Sequence, residues 1–136
     1  MSPSDSRKTI YLAGGFRSGW QGEVKLRLVE YDFLDPSLHQ IQDPREYTDW
    51  DLDAIRRCDI VLGNMEQSNP GGYSLALEIG FARALDKRIY LVDQITEPKM
   101  SRYFEMVRQV SGLVFNDLNL AIDYLSNTNS QVVDPE

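Results

Sequence analysis

The sequence predicts an α/β protein built on a parallel sheet, and three observations carry that expectation. Short apolar, β-rich runs alternate strictly with segments of helical spacing. The runs are apolar almost throughout, as strands covered on both faces are. Every connection between them is long enough to hold a helix, which parallel neighbours require.

Taken in order, Thr9-Ile10-Tyr11-Leu12-Ala13 is a buried strand stopped by Gly14-Gly15. Residues 18–31 place Val24, Leu26, Leu28 and Val29 among charges and read as an amphipathic helix. A weak second strand spans 31–34. Residues 35–46 read as a long loop, because two Asp-Pro pairs (Asp35-Pro36 and Asp43-Pro44) oppose helix. Thr48 is placed to cap a helix running to about Cys58. Residues 59–65, Asp-Ile-Val-Leu-Gly-Asn-Met, form the clearest strand. Ser68-Asn69-Pro70-Gly71-Gly72 is a loop, 73–85 a helix and 88–92 a strand. Pro98 suits the start of a helix ending near Val110, and 112–115 is a last short strand. Asn116 is the expected cap of a final helix carrying Leu118, Ala121, Ile122 and Leu125.

Five strands and five helices in this order give a flavodoxin-like or Rossmann-like three-layer sandwich with strand order 2-1-3-4-5. The chain of 136 residues is expected to be one domain, with 1–8 and 127–136 loose. In such a sheet, ligands bind beyond the carboxyl ends of the strands, where the order reverses between strands 1 and 3. Candidate substrate-binding residues there are Gly14, Gly15, Phe16, Asn64, Met65, Asn69, Gly72 and Ser74.

Composition removes several function classes. A net charge of −7 disfavours nucleic-acid backbones and anionic membranes, both of which attract clustered cations. No apolar run approaches the ~20 residues of a membrane span. The first eight residues lack the apolar stretch of a signal peptide. Cys58 is the single cysteine, which leaves no internal disulfide and no cysteine-based zinc site, and the lone His39 makes no histidine cluster. The expectation is a cytoplasmic protein without a structural metal.

One residue stands out chemically. The helix of residues 73–85 is apolar nearly all round, and Glu78 is its only acid. Its helical neighbours are Ser74, Leu75, Phe81 and Ala82, so no polar face carries the carboxylate into water. An unpaired buried carboxylate costs about several kcal/mol, which a partner or a function must offset. A nearby hydroxyl or Arg83 is the structural alternative; a reactive carboxylate beside the switch-point crevice, favoured in its ionised form by the helix dipole, is the functional one. Asp49, Asp51 and Asp53 suit a helix start, where acids are common dipole partners. Neither Gly14-Gly15 nor Gly71-Gly72 forms a phosphate-loop motif. Phe16, Trp20, Trp50 and Tyr73 fit either base stacking or core packing.

Three stretches together resemble the nucleoside 2-deoxyribosyltransferases: Ile10-Tyr11-Leu12-Ala13-Gly14, then Asp51 eight residues before the Asp59-Ile60-Val61-Leu62 strand, then residues 71–82 with Leu77-Glu78-Ile79-Gly80-Phe81-Ala82. The similarity spans about residues 8–115. The resemblance implies exchange of nucleobases on (2′-deoxyribo)nucleosides, with Glu78 as nucleophile, Tyr11 orienting it and Asp51 facing the base. It also implies a homo-oligomer, a dimer or a multiple of dimers, whose sites are completed by a neighbouring subunit near Ser111. Many members place an aspartate six residues before the nucleophile; here that position is Gly72, so Asn69 or Asp51 takes its place or base selection differs. Net retention through a covalent glycosyl-glutamate needs no cofactor or metal.

Two other readings compete. A nucleoside 5′-monophosphate N-glycosidase would use a similar glutamate with water as acceptor, and Arg17 and Ser18 would then bind the phosphate. A non-enzymatic flavodoxin-like nucleotide-binding module is more distant, since the first strand ends in Ala13-Gly14-Gly15 without acidic or Ser/Thr-rich ligands.

Overall fold

The computed structural model describes residues 7–67 and 72–129. Five strands, β1 (Thr9–Gly14), β2 (Asp32–Leu34), β3 (Ile60–Met65), β4 (Arg88–Asp93) and β5 (Leu113–Phe115), form one sheet in the order β2-β1-β3-β4-β5. All neighbouring pairs are parallel. The expected topology is therefore the observed one.

Alternation along each strand divides the core between two faces. Ile10, Leu12, Ile60, Leu62, Tyr90 and Val92 pack on one side, against α1 (Trp20–Arg27) and α6 (Leu118–Asn129). Tyr11, Ala13, Val61, Met65, Ile89 and Leu91 pack on the other, against α2 (Pro44–Arg57), α3 (Tyr73–Ala84) and Phe104. Period-2 side-chain direction makes this inevitable once both faces are covered. It also sends Tyr11 to the same side as the apolar helix that carries Glu78.

Several boundaries differ from the sequence reading. The first helix spans only Trp20–Arg27 and buries Trp20, Gln21 and Val24, while Leu26 and Val29 face solvent. The second helix begins at Pro44, not Thr48: the Asp43 side chain accepts the Glu46 N–H, and proline is tolerated at the first helical position because its missing N–H is not needed there. The segment after Pro98 divides at Phe104 into α4 (Pro98–Tyr103) and α5 (Glu105–Val110), so the described residues hold six α-helices where five were expected. Phe104 is buried against the sheet, and its inward turn ends the first of the pair. In the last helix Leu118 is the first helical residue and Asp117 accepts the Ala121 N–H, so Asp117 occupies the cap position expected of Asn116. That helix continues to Asn129, so 127–129 are ordered helix and not a loose tail. At the other end, Arg7 already bonds to Asp32 and to the Val29 and Tyr31 carbonyls.

The end of β1 depends on one glycine. Gly14 has φ +151°, and a Cβ built there would lie 2.7 Å from the Asn64 carbonyl oxygen on β3. That oxygen belongs to the backbone of the parallel ladder that pairs Gly14 with Asn64, so it does not yield cheaply. Gly14→Ala is expected to lower stability by about 2 kcal/mol or more, read as a lower midpoint in urea. An unchanged midpoint would show that this strand end relaxes freely.

Among the described residues, no helix is long and apolar enough to cross a membrane.

Candidate functional site

A cleft of about 360 Å³ opens at the carboxyl edge of the sheet, within the range of small-molecule sites. Gly14, Gly15 and Phe16 supply one wall from the end of β1. Ser74, Leu75 and Glu78 come from the first turns of α3, and Tyr47 and Asp51 from α2. Pro36, His39 and Ile41 come from the loop after β2. The position is the reversal point between β1 and β3 that the topology requires.

Glu78 is 7% exposed, and its partner is the Tyr11 hydroxyl, which donates to Oε2 at 2.6 Å. Arg83, the other partner considered from sequence, is exposed and donates to the Val110 carbonyl instead. Burial pushes the Glu78 carboxyl up to about 7; the Tyr11 hydrogen bond opposes that rise, and the charge of Asp51 adds to it. The helix dipole does not hold Glu78 in its ionised form, as the sequence suggested. Glu78 lies in the second turn, and the dipole's influence fades within the first, so desolvation wins. The Tyr11 hydroxyl is pushed far above the usual phenol range by its own burial and then by Glu78, so it stays a donor.

Asp51 and His39 form a second hydrogen-bonded pair in the same cleft. His39 Nε2 lies 3.2 Å from Asp51 Oδ1, and the Ile41 backbone N–H donates to His39 Nδ1 at 3.0 Å. A ring nitrogen that accepts an N–H holds its lone pair there, so the neutral ring carries its proton on Nε2 and donates to Asp51. Burial raises the Asp51 carboxyl above the usual carboxylate range, and the His39 bond pulls it back in part. The Trp50 ring meets His39 edge-on with centroids 4.7 Å apart. The loop that delivers His39 is pinned where it starts: buried Asp35 accepts from Lys25 Nζ at 2.6 Å and from the Ser37 N–H and hydroxyl.

The expected residues thus separate into groups. Glu78, Tyr11, Asp51, Gly14, Gly15, Phe16 and Ser74 come together at the cleft. Asn64 and Met65 are buried beneath the sheet's edge and do not line it. Asn64 Oδ1 accepts from Gln94, and its Nδ2 has no partner among the described residues. Gly72 begins α3 in the left-handed conformation (φ +64°), with Met65 filling the space of a side chain. Ser111 ends α5 outside the cleft and bonds to the Val107 carbonyl. Asn69 lies outside the described residues. Asp53 pairs with Arg57 at the surface, and Asp59 accepts the Thr9 N–H. Of the four aromatics, Phe16 lines the cleft, Trp20 is core, Trp50 is half-buried and Tyr73 faces solvent. Among the described residues no group of three His, Cys, Asp or Glu side chains is placed to hold a metal ion.

His39, Pro36 and Ile41 escaped the sequence reading because residues 35–46 read as loop, and Tyr47 because the helix was expected to start only at Thr48. A signal was present. Asp43-Pro44-Arg45-Glu46 has the spacing of a helix start, an acid or hydroxyl followed three residues later by glutamate. Starting α2 there puts Tyr47 four residues before Asp51, on one face.

No protein-family model matches the chain, and no curated protein matches it. Solved structures do. The 2-desoxiribosyltransferase from Leishmania mexicana superposes with a TM-score of 0.66 at 22% identity, over 88% of this chain and 97% of that one. A CMP N-glycosidase from Clostridium botulinum superposes with a TM-score of 0.62, also at 22% identity, over 88% of this chain and 99% of that one. The likeness is one of fold. Each covers most of this chain, and one is named a transferase, the other an N-glycosidase.

Proposed function

We propose that the chain cleaves the N-glycosidic bond of a (2′-deoxyribo)nucleoside and passes the sugar to a second free nucleobase, through a glycosyl ester on Glu78. The observation that carries this reading is the buried Tyr11–Glu78 bond in a cleft shared with the Asp51–His39 pair. Two carboxyl groups in one apolar cleft, one held by a phenol and one by an imidazole, suit double displacement at a sugar carbon.

Tyr11 occupies Oε2 of Glu78, and the remaining oxygen attacks C1′. Asp51 enters this step protonated, having taken a proton from solvent; the C1′–N bond breaks, its electron pair stays on the base, and the Asp51 carboxyl delivers that proton to make the base a competent leaving group. His39 Nε2–H then stabilises the Asp51 carboxylate left behind. An incoming base attacks C1′, the ester C1′–O bond breaks, and Asp51 takes up the proton that the incoming base releases. Two inversions give retention.

The lining favours an uncharged sugar. None of the described cleft residues is Lys or Arg, while two are carboxylic acids. Arg17 is exposed outside the cleft, and the Ser18 hydroxyl accepts the Trp20 N–H. A 5′-phosphate beside Asp51 and Glu78 would meet like charge. The test incubates the protein with a deoxynucleoside and a different free base, beside a 5′-monophosphate alone. Exchange in the first supports the reading; hydrolysis confined to the second replaces it with the glycosidase.

The working unit we infer is a homo-oligomer, in which a neighbouring subunit brings the region of Ser111 over the cleft and keeps water from the ester. The apolar surface available for such a contact is Tyr103, Met106 and Met100, while Phe104 and Val107 turn inward.

Tyr11→Phe is expected to slow formation of the glycosyl ester by roughly 10- to 10²-fold, the effect of one orienting hydrogen bond of about 1–3 kcal/mol. That bond also lowers Glu78's proton affinity, so its loss moves the rise of rate with pH to higher pH. Rates measured against pH check both; an unshifted profile with an unchanged rate makes Tyr11 a packing residue only.

A further inference from the structure

His39 is held by an unusual piece of backbone. Gln40, the next residue, has φ +55°, and the only other non-glycine residue with positive φ among those described is Asp86. Left-handed backbone is costly for a residue with a side chain. Nothing about the Gln40 side chain accounts for it, since it is exposed. The conformation has one visible consequence. It folds the chain back so that the Ile41 N–H reaches His39 Nδ1 at 3.0 Å, two residues away.

We propose that Gln40 and Ile41 are positioning residues that lock His39 in its Nε2–H tautomer, so that the ring presents a donor, never a lone pair, to Asp51. The inference rests on the function proposed above for its consequence, but not for its geometry. The imidazole has two neutral forms, and only one is useful toward Asp51. With a proton on Nδ1 the ring would face the Ile41 N–H donor to donor. Nε2 would then offer a lone pair to Asp51 Oδ1, 3.2 Å away. That arrangement would repel a carboxylate. The backbone N–H removes it without any second side chain. Trp50, edge-on to the ring, restricts the ring flip that would carry Nδ1 away from the Ile41 N–H and Nε2 away from Asp51. The other loop anchor, Asp35 with Lys25 and Ser37, fixes the backbone on the near side of the turn. Gln40 fixes it on the far side.

The chain contains one histidine, so a long-range ¹H–¹⁵N spectrum of the whole protein reports on His39 alone. The wild-type protein at neutral pH is expected to show a pyridine-like Nδ1 and a pyrrole-like Nε2. Gln40→Gly accepts positive φ without strain and should keep that pattern and the wild-type rate. Gln40→Val disfavours positive φ without substituting any cleft side chain; it should move both nitrogens toward averaged shifts. Ester formation should slow about 10-fold in Gln40→Val, and Asp51→Asn should abolish the difference between the two Gln40 variants. Thermal melts identify any variant that fails to fold, and Gln40→Gly then stands as the folded comparison. A wild-type spectrum with the proton on Nδ1, or an unaltered Nε2–H pattern in folded Gln40→Val, overturns the lock. Absence of base exchange in a wild-type protein with the expected spectrum overturns the proposed function instead, leaving the lock intact.

Discussion

Replacing Glu78 by glutamine is expected to abolish base exchange, by on the order of 10⁴-fold or more, because the reaction then has no nucleophile for its first displacement. The amide keeps the size of the carboxyl group and still accepts the Tyr11 hydroxyl, so the fold survives. Mass spectrometry of the intact wild-type protein mixed with a deoxynucleoside should show a sugar adduct that Glu78→Gln lacks. Persistent exchange by the variant would remove Glu78 from the reaction.

The same substitution should raise stability at alkaline pH. Glu78 titrates near 7 in the folded protein, against 4.5 for an unperturbed glutamate. The folded state therefore binds the proton more tightly than the unfolded one. Its stabilising contribution is complete below about 4.5 and is lost as pH rises through about 7. By pH 8 the buried charge costs about 3 kcal/mol relative to acid pH. Glu78→Gln carries no such charge. It should melt several degrees above wild type at pH 8, with the gap closing toward pH 5. With a leaving group that needs no proton from Asp51, ester formation in the wild type should follow the opposite trend, rising with pH through about 7 as the nucleophile ionises. A gap independent of pH would mean that Glu78 is not buried as described.

Asp51→Asn is expected to slow release of natural bases by roughly 10²- to 10⁴-fold, the range for loss of a positioned proton donor. A second substrate separates this chemistry from simple disruption. A deoxyriboside with a nitrophenolate leaving group departs without a proton, so Asp51→Asn should handle it almost as well as wild type. Equal losses on both substrates would reduce Asp51 to a structural residue. His39→Gln should behave as a weaker version of the same variant, since His39 acts through Asp51.

Much of this arrangement was legible in the sequence because it follows from local rules. The continuous apolar runs and intervening helices dictate a parallel sheet, and right-handed crossovers then restrict its order. The burial of Glu78 is written into an apolar helix with no polar face. Tyr11 was reached through the resemblance of its strand; period-2 alternation explains why it faces that helix. What the sequence could not determine was every feature set by contacts between distant segments. Tyr11 and Glu78 are 67 residues apart, and their 2.6 Å bond exists because β1 and α3 meet across the sheet. Whether burial or the helix dipole governs Glu78 is a contest between long-range packing and a field confined to one turn, and packing wins. His39 has no sequence neighbour that marks it. It becomes a partner of Asp51 only because Asp35 and Gln40 fold its loop over the start of α2. Local spacing fixes which residues share a face; only the closed tertiary structure decides which faces meet, and the site lies where they do.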